Sequence, residues 1–251
     1  MTTSTPSAHT NIAGPCRHKP IEQRCVNCIL DESDFFAPMS VEAKLILQKG
    51  LHHKNFARHE LLYREGGSNP FLYILVSGEV KVYKATADGR QQIHKIVSIP
   101  GDLVGCEDMF LDVASSTAEA IGDVALCGLK REYLRKVAQQ HPEISDVMMQ
   151  AMSRNLNAYI RHIANLGTKT ALQRVASYLV FQHETHSRRG TPLEFLPESL
   201  TRVEMAEMLG ITQRTLIRSL KELESGKVVK LTKDGYIIGS MDKLVQLAEE
   251  A

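Results

Sequence analysis

Thr201-Arg-Val-Glu-Met-Ala-Glu-Met-Leu-Gly210-Ile-Thr-Gln-Arg-Thr-Leu-Ile-Arg-Ser-Leu220-Lys-Glu-Leu-Glu-Ser225 decides the fold of the C-terminal part of the chain. Thr201, followed three residues later by Glu204, is a capping box, so a helix starts there. It carries Met205, Ala206, Met208 and Leu209 and stops at Gly210. Thr212 is a second N-cap, and the next helix runs over residues 213–225 with Leu216, Leu220 and Leu223 at inward spacing. Two short helices joined by a tight Gly-containing turn form a helix-turn-helix. Residues 228–231, the turn Lys233-Asp-Gly235 and residues 236–238 then read as a hairpin, which completes a winged helix.

The inward positions leave Gln213, Arg214, Ile217, Arg218 and Lys221 on the outer and N-terminal side of the second helix. Two arginines and a glutamine there have the donor geometry for guanine and adenine edges in a major groove. Arg202, Lys227, Lys230 and Lys233 are candidates for phosphates, which hold register without reading sequence. Charge alone would make this an ordinary solvated surface, since Glu204, Glu207, Glu222, Glu224 and Asp234 offset much of it. The caps, turn, inward stripe and hairpin together point to DNA binding.

Working outward, residues 169–186 read as a helix, 186–192 as a loop and 193–196 as a short strand. Upstream, His141-Pro142 opens a long helix over 143–166, with Ile144, Val147, Met148, Met152, Leu156, Tyr159, Ile163 and Leu166 in a stripe. At 1.5 Å per residue it is roughly 35 Å long, more than a small barrel needs. A seam shared with a second copy is therefore expected, against the plainer reading of a helix buried in its own domain. Another helix covers 131–140. Between residues 54 and 130, short apolar runs alternate with Gly-bearing turns, Asp88-Gly89 among them, which indicates a small antiparallel barrel or sandwich. Before it, Ser40 is an N-cap for a helix with Val41, Leu45, Ile46 and Leu51 at helical spacing.

The 251 residues suit two modest domains. With 43% hydrophobic and 24% charged residues, disorder over most of the length, a collagen-like chain and a coiled-coil rod are excluded. Thirty Lys and Arg against 29 Asp and Glu give no whole-chain field, so any nucleic-acid or membrane partner must be read from local charge. The absence of Trp argues against an aromatic cage or a base-stacking sheet. No window approaches the roughly 18 consecutive apolar residues of a membrane span. Residues 1–15 are Ser/Thr/Ala-rich without the apolar core of a secretory signal, so a cytoplasmic location is expected. Of five cysteines, Cys16, Cys25 and Cys28 stand in a short polar arm, and Cys106 and Cys127 lie far downstream. The odd number and a reducing cytosol make a disulfide framework a poor reading.

A small barrel, a long helix and a winged helix, in that order, resemble the CRP/FNR family of bacterial transcription regulators over residues 35–245. The matching stretches are Phe71-Leu-Tyr-Ile-Leu-Val-Ser-Gly-Glu-Val-Lys-Val, Ile99-Pro-Gly-Asp-Leu-Val-Gly and Met208-Leu-Gly-Ile-Thr-Gln-Arg-Thr-Leu-Ile-Arg. The resemblance implies an α+β chain. Residues 1–35 form a flexible cysteine arm, and 36–140 a sensory β-roll like a cyclic-nucleotide-binding jelly roll. A dimerisation helix follows at 141–168, and a winged helix-turn-helix at 169–251. It further implies a homodimer on a palindromic operator, base contacts at Gln213, Arg214 and Arg218, RNA polymerase as a partner, and no enzyme activity.

In the cyclic-nucleotide branch, a Gly-Glu pair and a downstream Arg-Ser hold the ribose and cyclic phosphate. Here the turn reads Gly101-Asp-Leu-Val-Gly-Cys-Glu, and Ser115-Ser-Thr-Ala stands where the arginine belongs. A buried phosphate without an arginine is poorly compensated, so cyclic AMP is disfavoured. The FNR branch instead carries an N-terminal cysteine cluster and one distal cysteine that hold a [4Fe–4S] cluster. The resemblance assigns these ligands to Cys16, Cys25, Cys28 and Cys127, with Cys106 in reserve. The arm spacing departs from the best-known pattern: eight residues, then two, where a short gap usually comes first. Zinc held with His9 or His18, or haem on His52, His53, His59 or His94, are alternative signals; a metal-dependent barrel enzyme is a remote one. Many family members place Glu where Arg214 stands, and FNR proteins place Ser where Ile217 stands. A different half-site follows, with Ile217 limited to apolar contact such as a thymine methyl.

Overall fold

The computed structural model describes residues 29–33, 36–86, 89–188 and 195–249. Asp88 of the expected hairpin turn, the arm cysteines Cys16, Cys25 and Cys28, and His9 and His18 lie outside the described residues.

A short helix α1 (Ile29–Glu32) and α2 (Val41–Lys49) precede eight strands: β1 (Leu51–Phe56), β2 (Leu61–Tyr63), β3 (Phe71–Ser77), β4 (Val80–Ala85), β5 (Gln91–Val97), β6 (Leu103–Val104), β7 (Thr117–Ala120) and β8 (Val124–Lys130). They form two antiparallel sheets, ordered β1-β8-β3-β6 and β2-β7-β4-β5. Strand alternation divides the core into layers. Tyr73 and Leu75 of β3 and Leu126 of β8 pack between the sheets. Leu72, Ile74, Cys127 and Leu129 point the other way, into a layer closed by α1, α2, α3 (Arg131–Gln140) and the start of α4 (Pro142–Thr168).

Two expectations at the front of this unit change. Ser40 does cap α2, accepting from the Ala43 amide, but the buried residues are Ala43 and Leu47, while Val41 and Leu45 are exposed. Leu51 belongs to β1, a strand hidden by its polar run Leu-His-His-Lys-Asn-Phe. It is held by full pairing with β8, which supplies the apolar partner that its own residues lack.

Along α4, Ile144, Val147 and Ala151 are buried against the roll. Met149 faces outward within this stretch, and beyond it the helix leaves the core with Leu156, Ile160 and Ile163 exposed, Ile163 at 66%. This narrows the expected stripe. Met148 and Met152 pack onto the roll's helical layer, and Tyr159 and Leu166 line a cavity on another face. Leu156 and Ile163 stay outward, joined by Met149 and Ile160.

The C-terminal unit comprises α5 (Ala171–Arg188), β9 (Phe195–Pro197), α6 (Arg202–Leu209), α7 (Gln213–Ser225), β10 (Val229–Leu231), β11 (Gly235–Ile238) and α8 (Met241–Glu249). Its hairpin gains β9 as a third strand, in the order β10-β11-β9. Helix α8, which the sequence reading lacked, packs Leu244 and Ala248 into the core shared by α5 and α7. Among the described residues, no helix is long and apolar enough to cross a membrane.

Candidate nucleic-acid interface and sensory core

The reading element is built by its caps. Thr201 Oγ1 accepts from the Glu204 amide while the Glu204 carboxylate accepts from the Thr201 amide, closing the box that starts α6. Gly210 ends α6 with φ +62, a left-handed conformation that side-chain-bearing residues rarely adopt. Thr212 Oγ1 then accepts from the Thr215 amide and starts α7 two residues later. Leu216, Ser219, Leu220 and Leu223 bury one face of α7. Gln213, Arg214, Ile217, Arg218 and Lys221 are all exposed on the other.

Three of the acids that offset the local charge are engaged away from that face, while Glu222 stays exposed on α7 one turn after Arg218. Glu204 reaches the roll, where its carboxylate lies 2.5 Å from Lys81 Nζ. Glu207 accepts from the Gln91 amide of β5, and Glu224 from the Leu231 amide. Lys227, Lys230 and Lys233 are exposed, as a phosphate-contacting wing requires. Arg202 departs from expectation: it pairs with Glu198 at 3.0 Å, donates to the Tyr236 hydroxyl at 2.7 Å and stacks on its ring. Its fork is spent inside the domain.

Lys81 is the residue that sequence reading missed. Its side chain is 4% exposed, between Glu119 at 3.2 Å and Glu204 at 2.5 Å. Burial raises the Glu204 carboxyl, but the Lys81 and Thr201 hydrogen bonds outweigh it and hold the group below its ordinary range. The signal was present as a lysine amid the apolar positions of Val80-Lys81-Val82.

The roll interior is already occupied by its own polar groups. Glu107, after Gly105-Cys106, pairs with Lys95 at 2.7 Å and accepts from the Tyr159 hydroxyl at 3.0 Å and Asn155 at 3.2 Å. Burial pushes its carboxyl up and Lys95 more than reverses this, so it stays ionised. Where a phosphate arginine belongs, the Asp108 carboxylate accepts from the Ser115 amide and hydroxyl, at 3.0 and 2.6 Å. The nearby Arg131 donates to the Asp108 and Leu111 carbonyls. A carboxylate at the phosphate end and an ion-paired glutamate at the ribose end do not fit a cyclic phosphate.

The two downstream cysteines have different surroundings. Cys106 is wholly buried; burial and then Glu107 push its thiol up to about 12, although Asn155 donates to its sulfur. A thiolate ligand is disfavoured there. Cys127, on the outward face of β8, is 3% exposed and sits opposite His53, whose Nε2 lies 3.8 Å from its sulfur. It shares its core layer with Ile29 and Leu30, the residues that directly follow Cys28. Ser33 continues this segment across Gly101, where φ is +93 and a β-carbon would collide with the Ser33 side chain. His52 packs edge-on to Phe71, His59 pairs with Glu119 and His94 contacts Ser116 and Tyr159. Among the described residues, no group of three or more His, Cys, Asp or Glu side chains is placed to hold a metal ion.

Comparison with known proteins agrees with this geometry. A family model for the cyclic nucleotide-binding domain matches residues 53–141, and one for the Crp-like helix-turn-helix domain matches residues 173–247. The fumarate and nitrate reduction regulatory protein of Vibrio cholerae is 28% identical over 235 residues, which are 93% of this chain and 90% of that protein. The CRP-like cAMP-activated global transcriptional regulator of Mycobacterium tuberculosis is 26% identical over 222 residues, 88% of this chain and 98% of that one. The structure of FixK2 from Bradyrhizobium japonicum superposes with a TM-score of 0.71 at 26% identity, over 80% of this chain and 98% of its own. These relatives are regulators, not enzymes. A nucleotide-binding-type roll, a long helix and a capped helix-turn-helix, matched in order along the chain, make this protein a DNA-binding transcription regulator of the CRP/FNR family.

Proposed function

We propose that the protein is a cytoplasmic homodimeric regulator whose operator binding is set by a [4Fe–4S] cluster on Cys16, Cys25, Cys28 and Cys127, and that it acts on RNA polymerase at palindromic sites. The observation that carries this reading is the core layer shared by Cys127 with Ile29 and Leu30. Ile29 and Leu30 directly follow Cys28 and lie in the layer that Cys127 occupies, which supports a ligand set drawn from the arm and β8. Cys127 fits a ligand role better than Cys106, whose thiol is held protonated by burial and Glu107. When bound, the cluster supplies an oxygen- and nitric-oxide-labile cross-link between arm and roll.

The chain's own parts do the rest. Cys127, Ile29 and Leu30 share a layer with Ile144, Val147 and Ala151, so order in that layer is felt at the root of α4. Further along, Met149, Leu156, Ile160 and Ile163 offer an exposed apolar face for a second copy. Pairing there presents two copies of α7 to successive major grooves. Gln213, Arg214 and Arg218 read base edges, Ile217 makes apolar contact, and Lys221 lies beside them. A shift of a few kcal/mol between paired and unpaired states changes occupancy strongly.

Purification without oxygen tests this reading. About four iron and four sulfide per chain are expected, with visible absorbance lost in air along with operator affinity. Cys127→Ser removes the cluster and Cys106→Ser retains it. A colourless, iron-free protein that binds its operator equally in air overturns the sensor. The Cys127–His53 proximity favours a second reading, zinc on mixed Cys and His ligands. Metal analysis that finds zinc, lost in His53→Ala, selects it.

A further inference from the structure

We propose that the cavity between the roll and the winged helix is a binding site for a small organic carboxylate with an apolar body. The cavity has a volume of about 190 Å³ and is walled by β5, the C-terminal half of α4, α5 and the end of α6. This site stands apart from the cysteines and does not depend on the cluster.

Its lining selects the ligand class. Leu166, Phe181 and Met208 supply an apolar wall. Lys95, Arg161 and Arg174 supply charge, joined by His94 and His162, and among the described residues no Asp or Glu lines the space. Lys95 is matched by Glu107, but among the described residues no carboxylate pairs with Arg174. Its guanidinium donates instead to the backbone carbonyls of Leu166, Lys169, Leu209 and Gly210, which fixes it rigidly at the ends of α4 and α6. His162 Nε2 is buried without a hydrogen-bond partner among the described residues. A carboxylate would give that nitrogen an acceptor and Arg174 and Arg161 a counter-charge. A bare inorganic anion would leave the apolar wall uncovered, and a neutral molecule would leave Arg174 without a counter-charge.

The site lies outside the roll interior. Tyr159 and His94 line it from the roll side, where Glu107 holds the Tyr159 hydroxyl and Ser116 meets His94 Nε2. At about 100° per residue, the cavity face of α4 (Asn155, Tyr159, His162, Leu166) is roughly 100° round from the exposed face of Leu156, Ile160 and Ile163. Pairing of two copies along that face leaves the cavity open.

Protonation couples to occupancy. Burial lowers the His162 imidazole, and the neighbouring Arg174 lowers it further. Burial likewise lowers His94, against the opposing Gln92 carbonyl and Glu107, with Lys95 and His162 adding to the depression. From α6 the wall is only Met208 and Leu209, and the remaining charge in the lining is Arg161 of α4. A bound anion favours both imidazolium forms, so binding takes up protons and tightens as pH falls.

Calorimetric titration of the full-length chain with sodium benzoate, phenylacetate and hexanoate tests the proposal, with benzamide and inorganic phosphate as controls. At least one carboxylate is expected to saturate a single site per chain, about tenfold tighter than either control, and tighter at pH 6 than at pH 8. His162→Leu is expected to weaken it about tenfold and Arg161→Ala about threefold. Ala158→Phe, at an exposed position lining the cavity, should block entry without touching the core. Failure of all three carboxylates to saturate, equal binding of benzamide, or unchanged binding in both His162→Leu and Ala158→Phe overturns it.

Discussion

Lys81 and Arg218 are both cations on regular elements, yet the Lys81 side chain is 4% exposed between two carboxylates while Arg218 stands in solvent. The same division runs through the molecule. In the roll, Lys81, Lys95, Glu107 and Glu119 are engaged with one another or with neighbouring elements. On α7, Gln213, Arg214, Arg218 and Lys221 point outward from a face sealed by leucines. A buried, paired charge positions one part of a protein against another, whereas an exposed donor remains available to a ligand. The roll therefore spends its polar groups on architecture and on holding α6, and the winged helix keeps its own for DNA.

The largest test of this contrast is Lys81→Met. Removing the cation leaves Glu119 and Glu204 facing each other with little solvent, and breaking such a buried pair costs about 3–5 kcal/mol. Urea unfolding measures the loss. Combining it with Glu119→Gln and Glu204→Gln should recover most of the stability, since the penalty lies in the stranded carboxylates. A loss under about 1 kcal/mol for Lys81→Met alone would show that the pair is solvated like a surface one.

On the other side of the comparison, Arg218→Ala should leave stability within about 0.5 kcal/mol, as for surface substitutions generally. It should cost about 1–3 kcal/mol of discrimination at one base pair of each half-site. Arg214→Ala behaves in the same way at a different base pair. Lys230→Ala instead weakens all sequences equally and lowers the salt slope by about 0.9 per lost phosphate contact. Operator titrations over a series of salt concentrations separate these outcomes. Equal losses on all sequences for Arg218→Ala would move it from reader to phosphate anchor.

How much was legible follows from the same contrast. The helix-turn-helix could be read because its information is local: Thr201 and Glu204, Gly210, Thr212 and the leucine spacing all lie within one short stretch. The outward residues of α7 came with the inward ones, because helical periodicity fixes both. The roll's alternating strands were legible for the same reason. Strand β1 was not, since its His and Lys positions are stabilised by pairing with β8, over seventy residues away. The Lys81–Glu204 bridge joins residues 123 apart, and no spacing rule reports such a pair. The Arg202–Tyr236 contact was equally hidden, since it joins residues 34 apart, whereas Glu198 stands only four residues before Arg202.

A smaller effect tests how the two regions are joined. Thr201→Ala removes the hydroxyl that accepts from the Glu204 amide, and loss of an N-cap typically costs about 1 kcal/mol. Glu204 serves both the cap and the Lys81 bridge, so the loss should not add to that of Glu204→Gln. A double-mutant cycle by urea unfolding is expected to show coupling of about 0.5 kcal/mol or more, as for residues in one network. Strict additivity would mean that cap and bridge act independently, and that the start of α6 does not depend on its tie to the roll.

The smallest effect is a pH dependence, and its sign separates the interdomain cavity from the solvent-facing helix. His94 and His162 both sit below the ordinary imidazole value of 6.5, lowered chiefly by burial. In the unfolded chain both regain that value, so between it and the depressed folded value the unfolded state binds more protons. Stability contributed by these residues is therefore full above pH 6.5 and declines as pH falls through the window beneath it. Urea midpoints measured stepwise from pH 7.5 to pH 5 should fall on the acid side, and His162→Gln should flatten the fall. Helix α7 carries no histidine, so Arg218→Ala should leave the slope unchanged. A profile flat in the wild type would mean that both rings are solvated on the protein, and that the cavity wall is looser than the buried Nε2 of His162 implies.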